Sequence, residues 1–383
     1  MTEPRKIVIF TSEFPPGPGG IGNHAWNLAF WLEVKGERVD VIAPRREGYS
    51  REEPGFDAKQ PFSVRRYTKG KNNLPGYLAL IWMVYQSLRS LNRNDVFLVS
   101  GMMPLILGGA LAKIFGGKII FGVVAHGLDI NPTHPLLRRI VKWSLRQYRF
   151  VIPVSTFTAS KLPACDNSRV TVINNGVNIA DYTSENGLAH PGPRLIEGEP
   201  ALITVGTLSF RKGQINVVRA LPFLRKVYPR VHYHMVGLPQ EASPIRAEAI
   251  RLGVEDCITI HGAVDEERKK ELLKNADVFL MLSNHSPNGD FEGFGIAILE
   301  ANLLGVPAIG SANSGIADAI ADGESGLLVN PTSPESIVKA VQEIMKRRAN
   351  YSARAQAHAK NFAWEFVVDK YIEVFKEVSC VDL

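Results

Sequence analysis

Two glutamates eight positions apart, Glu292 and Glu300, bracket the segment FEGFGIAILE, in which a Gly-Phe-Gly turn runs into an almost wholly apolar stretch. From Phe294 to Leu304 the apolar residues, Ile296 among them, cover nearly every face of a helix, so that helix is expected to be buried. A carboxylate at Glu300 then needs hydrogen-bond donors, because leaving even a neutral polar group unpaired in an apolar setting costs roughly 2–7 kcal/mol. Sugar hydroxyls would serve; so would a buried cation, which is the plainer reading. Glu292 lies about two turns away, roughly 12 Å at 1.5 Å per residue, so the two acids are spaced to grip opposite ends of one elongated ligand. Gly293 and Gly295 would let the backbone approach that ligand closely.

Three further groups could join them. In TVGTLSFRKGQINVV, Gly206 ends a strand-like run, and Arg211, Lys212 and Gly213 stand just before a helix. A fixed cation beside helix-terminal amides suits a diphosphate, whose charge must be neutralised as a leaving group departs. In EFPPGPGGIGNHAWNL, glycines 17, 19, 20 and 22 precede another helix whose N-terminus suits an anion. Their spacing is neither G-x-G-x-x-G nor a P-loop, which weakens hydride transfer and ATP chemistry. His126, in VVAHGLD, follows an apolar strand and is the best placed of the nine histidines to donate a hydrogen bond or orient a substrate.

The elements that must position these groups recur in two series. Strand patterns at 6–10, 39–43, 96–100, 118–124 and 150–155 are interleaved with helices that include 22–35 and 77–92. After residue 185 come strand patterns at 201–206, 232–237, 257–262, 278–282, 307–311 and 326–330, with helices at 213–227, 266–274, 294–304 and 334–347. Such alternation implies an α/β fold of two doubly wound, Rossmann-like domains, with TSENGLAHPGPRLIEGEPA as the linker. We therefore expect domains at 1–184 and 185–361, the C-terminal helix within 362–383 rejoining the first. Ligands of open parallel sheets bind beyond the carboxyl ends of the strands, and two facing sheets would form a cleft there.

Composition excludes several classes. With 45% hydrophobic and 21% charged residues, the 383-residue chain reads as globular, without repeats. Cys165, Cys257 and Cys380 form no C-x-x-C pair, so neither a disulfide framework nor a zinc site is indicated, and a reducing compartment is expected. The apolar windows at 77–85 and 102–112 are too short to span a bilayer, and the N-terminus lacks a signal-peptide pattern. A cytoplasmic location is expected. The net charge of +6 is concentrated at Arg138, Arg139, Lys142, Arg146 and Arg149, with a second group at Arg65, Arg66, Lys69 and Lys71. Such patches attract phosphates or an anionic membrane surface, although a solvated helix face is the plainer reading. Nucleic acid is not expected, since no aromatic-interleaved or helix-turn-helix pattern accompanies it.

Taken in order, these residues resemble the family-4 retaining glycosyltransferases of GT-B fold. The stretch from Glu292 to Glu300 looks like their E-x7-E motif, accompanied by the glycine loop at 15–22, HGLD at 126–129, VSTFTASKL at 154–162, INNGVN at 173–178, RKG at 211–213, HGAV at 261–264 and DGESGLLV at 322–329. The resemblance implies that Glu300 holds the ribose of a nucleotide sugar, while Glu292 and the backbone from Gly293 through Phe294 to Gly295 meet the donor sugar. Lys212 and Arg211 would neutralise the diphosphate, Gly19 and Gly20 would close over it, His126 would face the sugar, and Gly262 to Val264 would flank the base. No metal or other cofactor is implied, the nucleotide sugar being a co-substrate. Many relatives carry arginine after the glycine at 206, where this chain has Thr207. The expected function is retaining transfer of a hexose from a UDP- or GDP-sugar to a glycan or lipid-linked acceptor in cell-surface polysaccharide or glycolipid synthesis, with peripheral contact at the inner face of an anionic membrane. The alternatives are a nucleotide-sugar epimerase of the same fold and a non-catalytic sugar-nucleotide-binding protein.

Overall fold

A computed structural model describes residues 4–68, 74–163, 168–182, 195–286 and 289–380. Lys69, Lys71, Cys165, Pro287, Asn288, most of the expected linker and the expected boundary at 184/185 lie outside the described residues. The chain divides into two compact units, one running to Gly176 and resuming at Trp364, the other spanning Val177–Ala363.

The first unit contains β1 (Lys6–Thr11), α1 (Gly20–Val34), β2 (Arg38–Pro44), α2 (Glu53–Asp57), β3 (Ser63–Tyr67), α3 (Leu74–Arg89), β4 (Val96–Ser100), α4 (Met102–Phe115), β5 (Ile120–Ala125), α5 (Pro135–Leu145), β6 (Phe150–Pro153), α6 (Thr156–Ser160) and β7 (Arg169–Val170). Among the described residues its strands form one parallel sheet in the order β3-β2-β1-β4-β5-β6-β7. β4 and β5 are buried along their whole length, as a parallel sheet covered on both faces requires. Leu80, Val84 and Leu88 of α3, Leu105 and Ala112 of α4, and Val141 and Leu145 of α5 share one core with Phe10, Phe97, Phe121 and Val123 of the strands. These three helices therefore pack on the same sheet face.

The second unit contains β8 (Ala201–Val205), α7 (Gln214–Val227), β9 (His232–Val236), α8 (Ala242–Arg251), β10 (Ile258–Gly262), α9 (Glu266–Lys274), β11 (Val278–Met281), α10 (Ile296–Leu303), β12 (Ala308–Ser311), β13 (Gly326–Val329), α11 (Pro334–Lys346) and α12 (Arg348–Lys360). Its sheet, again parallel, has the order β10-β9-β8-β11-β12-β13. α13 (Trp364–Cys380) belongs to the first unit, where it packs on α1. The Trp364 ring covers Gly176 so closely that a Cβ there would lie 2.6 Å from it.

Both strand orders reverse direction once, between β1 and β4 and between β8 and β11. That switch point is where the loops leaving two neighbouring strands diverge and leave a crevice. Gly19 in the first unit and Gly206, Arg211, Lys212 and Glu292 in the second fall in those loops, whereas His126 follows β5, Gly262 and Val264 lie at the end of β10, and Glu300 lies within α10.

One expected patch is dismantled by packing. Arg66 is buried and ion-paired with Glu53 and Asp57, the latter at 2.7 Å, and Arg65 donates to Ser87 of α3 at 2.5 Å. These two arginines fasten the edge strand β3 rather than forming a free basic surface.

Candidate active site

In the second unit the loop leaving β8 carries Arg211 and Lys212, and the loop leaving β11 carries Glu292. The two loops are stitched together. The Asn284 N–H donates to the Arg211 carbonyl at 2.9 Å, and the Asn216 side chain donates to the Leu282 carbonyl at 2.9 Å. Gly213 passes so near that a Cβ would stand 1.7 Å from the Leu282 oxygen, and its φ of +73° is one that side chains disfavour. Gly206 has φ +146°, and its missing side chain leaves room for the Lys212 stem, whose Cε would be 3.3 Å from a Cβ there.

This stitching brings three charges onto one point. Lys212 Nζ lies 2.8 Å from Glu292 Oε2, Arg211 Nη1 pairs with the same oxygen, and Arg211 Nε reaches Asp290 at 3.1 Å. Burial works against the Glu292 charge, but Lys212 and then Arg211 outweigh it and hold its carboxyl at about 2. Asp290 is pushed above the usual carboxylate range, first by burial and against the pull of Arg211. The Glu292 backbone is fixed from a third side, where the Gly315 N–H donates to its carbonyl at 3.0 Å.

α10 starts at Gly295, which caps it in the left-handed conformation (φ +89°). Phe294, Ile298, Leu299, Ala301 and Leu303 are buried, whereas Ile296, Ala297 and Glu300 are half-buried. Positions 296, 297 and 300 lie on one helical stripe, so α10 is sunk except along the line that carries Glu300. Glu300 finds its donors within the unit: Lys269 Nζ of α9 at 3.2 Å, and the Tyr182 hydroxyl. Lys269 also pairs with Glu266 at 2.7 Å; burial acts against its charge, yet Glu300 and Glu266 raise its pKa. Burial, and then Glu300, raise that of Tyr182. At the end of β10, Gly262 has φ +72° with open space where a side chain would be, and Val264 is half-buried beside it.

In the first unit His126 leaves the carboxyl end of β5 and shares a hydrogen bond between its Nε2 and Ser100 Oγ, 2.9 Å away at the end of β4. Asp129 folds the loop back by accepting from the His126 N–H at 3.0 Å and the Gly127 N–H at 2.7 Å. Burial lowers the His126 pKa to about 4, so the ring is neutral near pH 7. Burial also raises Asp129 to about 6, against the pull of those backbone donors. Gly20 faces open space, but Gly19 does not: a Cβ there would lie 2.0 Å from a Glu13 carboxylate oxygen. An acid thus lies at the start of α1, where the helix dipole favours negative charge.

Sequence reasoning passed over several of these partners. His24 of α1 is buried, its Nε2 is 3.0 Å from the Tyr371 hydroxyl, and its ring meets the edge of His126 at 5.0 Å. Its signal was a histidine on the same face as Leu28 and Leu32. Lys269 gave none, since EERKKELLK reads as a solvated helix.

The profile described as "Glycosyltransferase Family 4" matches residues 18–181, and that described as "Glycosyl transferases group 1" matches residues 189–362. The chain is 26% identical over 370 residues to the GDP-mannose-dependent alpha-(1-6)-phosphatidylinositol monomannoside mannosyltransferase of Mycolicibacterium smegmatis, covering 94% of this chain and 95% of that protein. It is 27% identical over 259 residues to the amylovoran biosynthesis glycosyltransferase AmsK of Erwinia amylovora, covering 66% of this chain and 61% of that one. In fold it matches HepE of Anabaena, crystallised in complex with UDP and glucose, with a TM-score of 0.75 and 20% identity over 97% of this chain and all of that one. With one profile on each half and two parallel α/β units beneath them, the chain belongs to the group 1 and family 4 glycosyltransferases of GT-B fold.

Proposed function

We propose that this glycosyltransferase moves a hexose, with retention of anomeric configuration, from a UDP- or GDP-sugar to a glycan or lipid-linked acceptor in the synthesis of a surface polysaccharide or glycolipid. The observation that carries this reading is the convergence of Arg211 and Lys212 on Glu292 at the β8/β11 switch point, with Glu300 on the half-open stripe of the helix that follows. Two adjacent cations are what a departing nucleoside diphosphate needs, because charge develops on its oxygen as the glycosidic bond breaks. We assign them that role, with Gly206 keeping Lys212 in place.

Glu300 is assigned to the ribose hydroxyls, and Glu292, Gly293, Phe294, Gly295 and Ile296 to the transferred sugar. Gly262 and Val264 take the base. In the first unit, whose assigned role is acceptor binding, His126 is a neutral hydrogen-bonding partner for the sugar, and the Gly19 and Gly20 amides serve the donor's diphosphate, which must displace the Glu13 carboxylate beside Gly19. Retention follows from a mechanism in which leaving and entering oxygens use the same sugar face, a step these groups support by charge neutralisation without a metal ion. The mannosyltransferase relative names GDP-mannose as its donor, and the HepE structure holds UDP and glucose, which is why both donors are proposed.

The test is donor hydrolysis and transfer with a panel of UDP- and GDP-sugars, with and without EDTA. Product anomers are read by proton NMR. Lys212→Ala and Glu300→Ala should each lower turnover by about 100-fold or more, the scale of losing one preorganised charge contact. Turnover within a few-fold of wild type in both variants overturns the assignment, and an inverted anomer overturns retention.

A further inference from the structure

α3 presents to solvent a face that no soluble surface needs. Leu74, Tyr77, Leu78, Ile81, Trp82 and Tyr85 are between 44% and 67% exposed. At 3.6 residues per turn they fall within an arc of about 140°, while Leu80, Val84 and Leu88 anchor the helix along one flank of that arc. Scattered exposed apolar residues are ordinary, but a contiguous stripe of this kind marks an interaction site.

The neighbouring helices on the same sheet face add to it. Ile114 of α4 and Trp143 of α5 are exposed, and α5 carries Arg138, Arg139 and Lys142, none of which is ion-paired among the described residues. The sequence from 130 to 163 holds no aspartate or glutamate at all. Between α5 and the turn after α6 lies an open cavity of about 630 Å³, lined by Arg138, Arg139, Lys142 and Lys161.

We infer that the outer side of α3 and α5 is the surface by which this enzyme lies on an anionic bilayer. The α3 stripe would enter the headgroup region, and the α5 cations with Lys161 would take lipid phosphates in the cavity between them. The combination favours lipid over protein. Tyr77, Trp82 and Tyr85 are the residue types that partition to the membrane interface, and an apolar helix face flanked by cations binds in the interface plane. No helix of the described residues is long and apolar enough to cross a membrane, so α3 would lie flat. Two copies of this chain meeting through the same face would set uncompensated arginines against each other. This names where the proposed enzyme would meet a lipid-linked acceptor.

The experiment is sedimentation of the full chain with vesicles of phosphatidylcholine alone and of phosphatidylcholine with phosphatidylglycerol, read together with Trp82 fluorescence. Donor and acceptor are absent, so failure of this interface and failure of the transfer reaction are told apart. Binding is expected on the anionic vesicles, with a blue shift that Trp82→Phe removes. Ile81→Asn combined with Trp82→Asn should weaken binding by about tenfold or more, and Arg138→Glu with Arg139→Glu should abolish its dependence on phosphatidylglycerol and salt. Both sites are exposed, so circular dichroism should match wild type. No binding to anionic vesicles, or binding unchanged in the Ile81/Trp82 variant, overturns the inference. So does a concentration-dependent dimer that the same variant dissolves.

Discussion

Lys212 Nζ stands 2.8 Å from Glu292 Oε2, and Arg211 pairs with that same oxygen. Under the role proposed for these cations, this carboxylate oxygen would compete with a phosphate oxygen for both of them. If the diphosphate is to be neutralised by this pair, Glu292 must release it when donor binds.

Glu292→Gln should therefore tighten binding of a bare nucleoside diphosphate, because the cations lose their internal competitor while Asp290 alone remains beside Arg211. We expect about a tenfold lower Kd, equivalent to ~1.4 kcal/mol, together with a large fall in turnover, since the sugar loses its acid. Calorimetry with UDP and GDP checks this. An unchanged or weaker Kd would mean that Glu292 orients the cations rather than competing for them.

Thr207 stands where the family resemblance leads one to expect an arginine, and Arg211, four residues further on, brings a guanidinium to Glu292. If the second charge is simply relocated, Arg211→Ala should raise donor KM and lower kcat/KM by about 10- to 100-fold, the ~1.5–3 kcal/mol of a charged hydrogen bond. Adding Thr207→Arg to that variant should restore most of the loss. Failure of the double variant to recover, with its fold intact by circular dichroism, would show that the geometry of Arg211 matters beyond its charge.

Glu300 was expected to need donors, and Lys269 and Tyr182 supply them before any sugar arrives. They fix the carboxylate in place on the half-open stripe of α10. Lys269→Met should leave Glu300 free to turn, raising donor KM by about fivefold to tenfold, the ~1 kcal/mol of one such contact, with kcat changed little. Steady-state kinetics against the donor separates the two constants, and an effect confined to kcat would contradict this positioning role.

What could be read from the chain followed burial. Runs such as VFLVS and VFLML are apolar on both faces because their strands lie inside parallel sheets, and the structure places strands at both. β3 was missed because it reads SVRRY, an edge strand whose Arg66 is accommodated only through the Glu53 and Asp57 carboxylates. α12 was missed because its buried stripe is Tyr351, Ala355 and Ala359, too small to register as hydrophobic periodicity. At the site, Glu292, Arg211 and Lys212 were legible as charges in loops after strands. The partners Lys269 and Tyr182 were not, since nothing local distinguishes them from solvated residues; their proximity to Glu300 arises only in the folded unit, where two segments distant in sequence reach the same carboxylate.

His126 provides a test by pH. Burial lowers its folded pKa from 6.5 to about 4, so between those values the unfolded chain binds a proton that the folded one does not. Its contribution to stability is therefore intact above about pH 6.5 and is lost as pH falls toward 4. Asp129, with its pKa raised to about 6 by burial, works in the opposite sense between pH 6 and its ordinary 3.8, but it does so in any variant that keeps the loop. Comparing wild type with His126→Gln by urea denaturation at pH 7 and pH 5 isolates the histidine: the variant should lose about 1–2 kcal/mol less over that interval. The imidazole Cε1–H resonance should correspondingly show no titration between pH 5 and 8. A midpoint near 6.5 would mean that the ring is solvated and partly protonated near pH 7, contradicting the wholly neutral hydrogen-bonding partner assigned here.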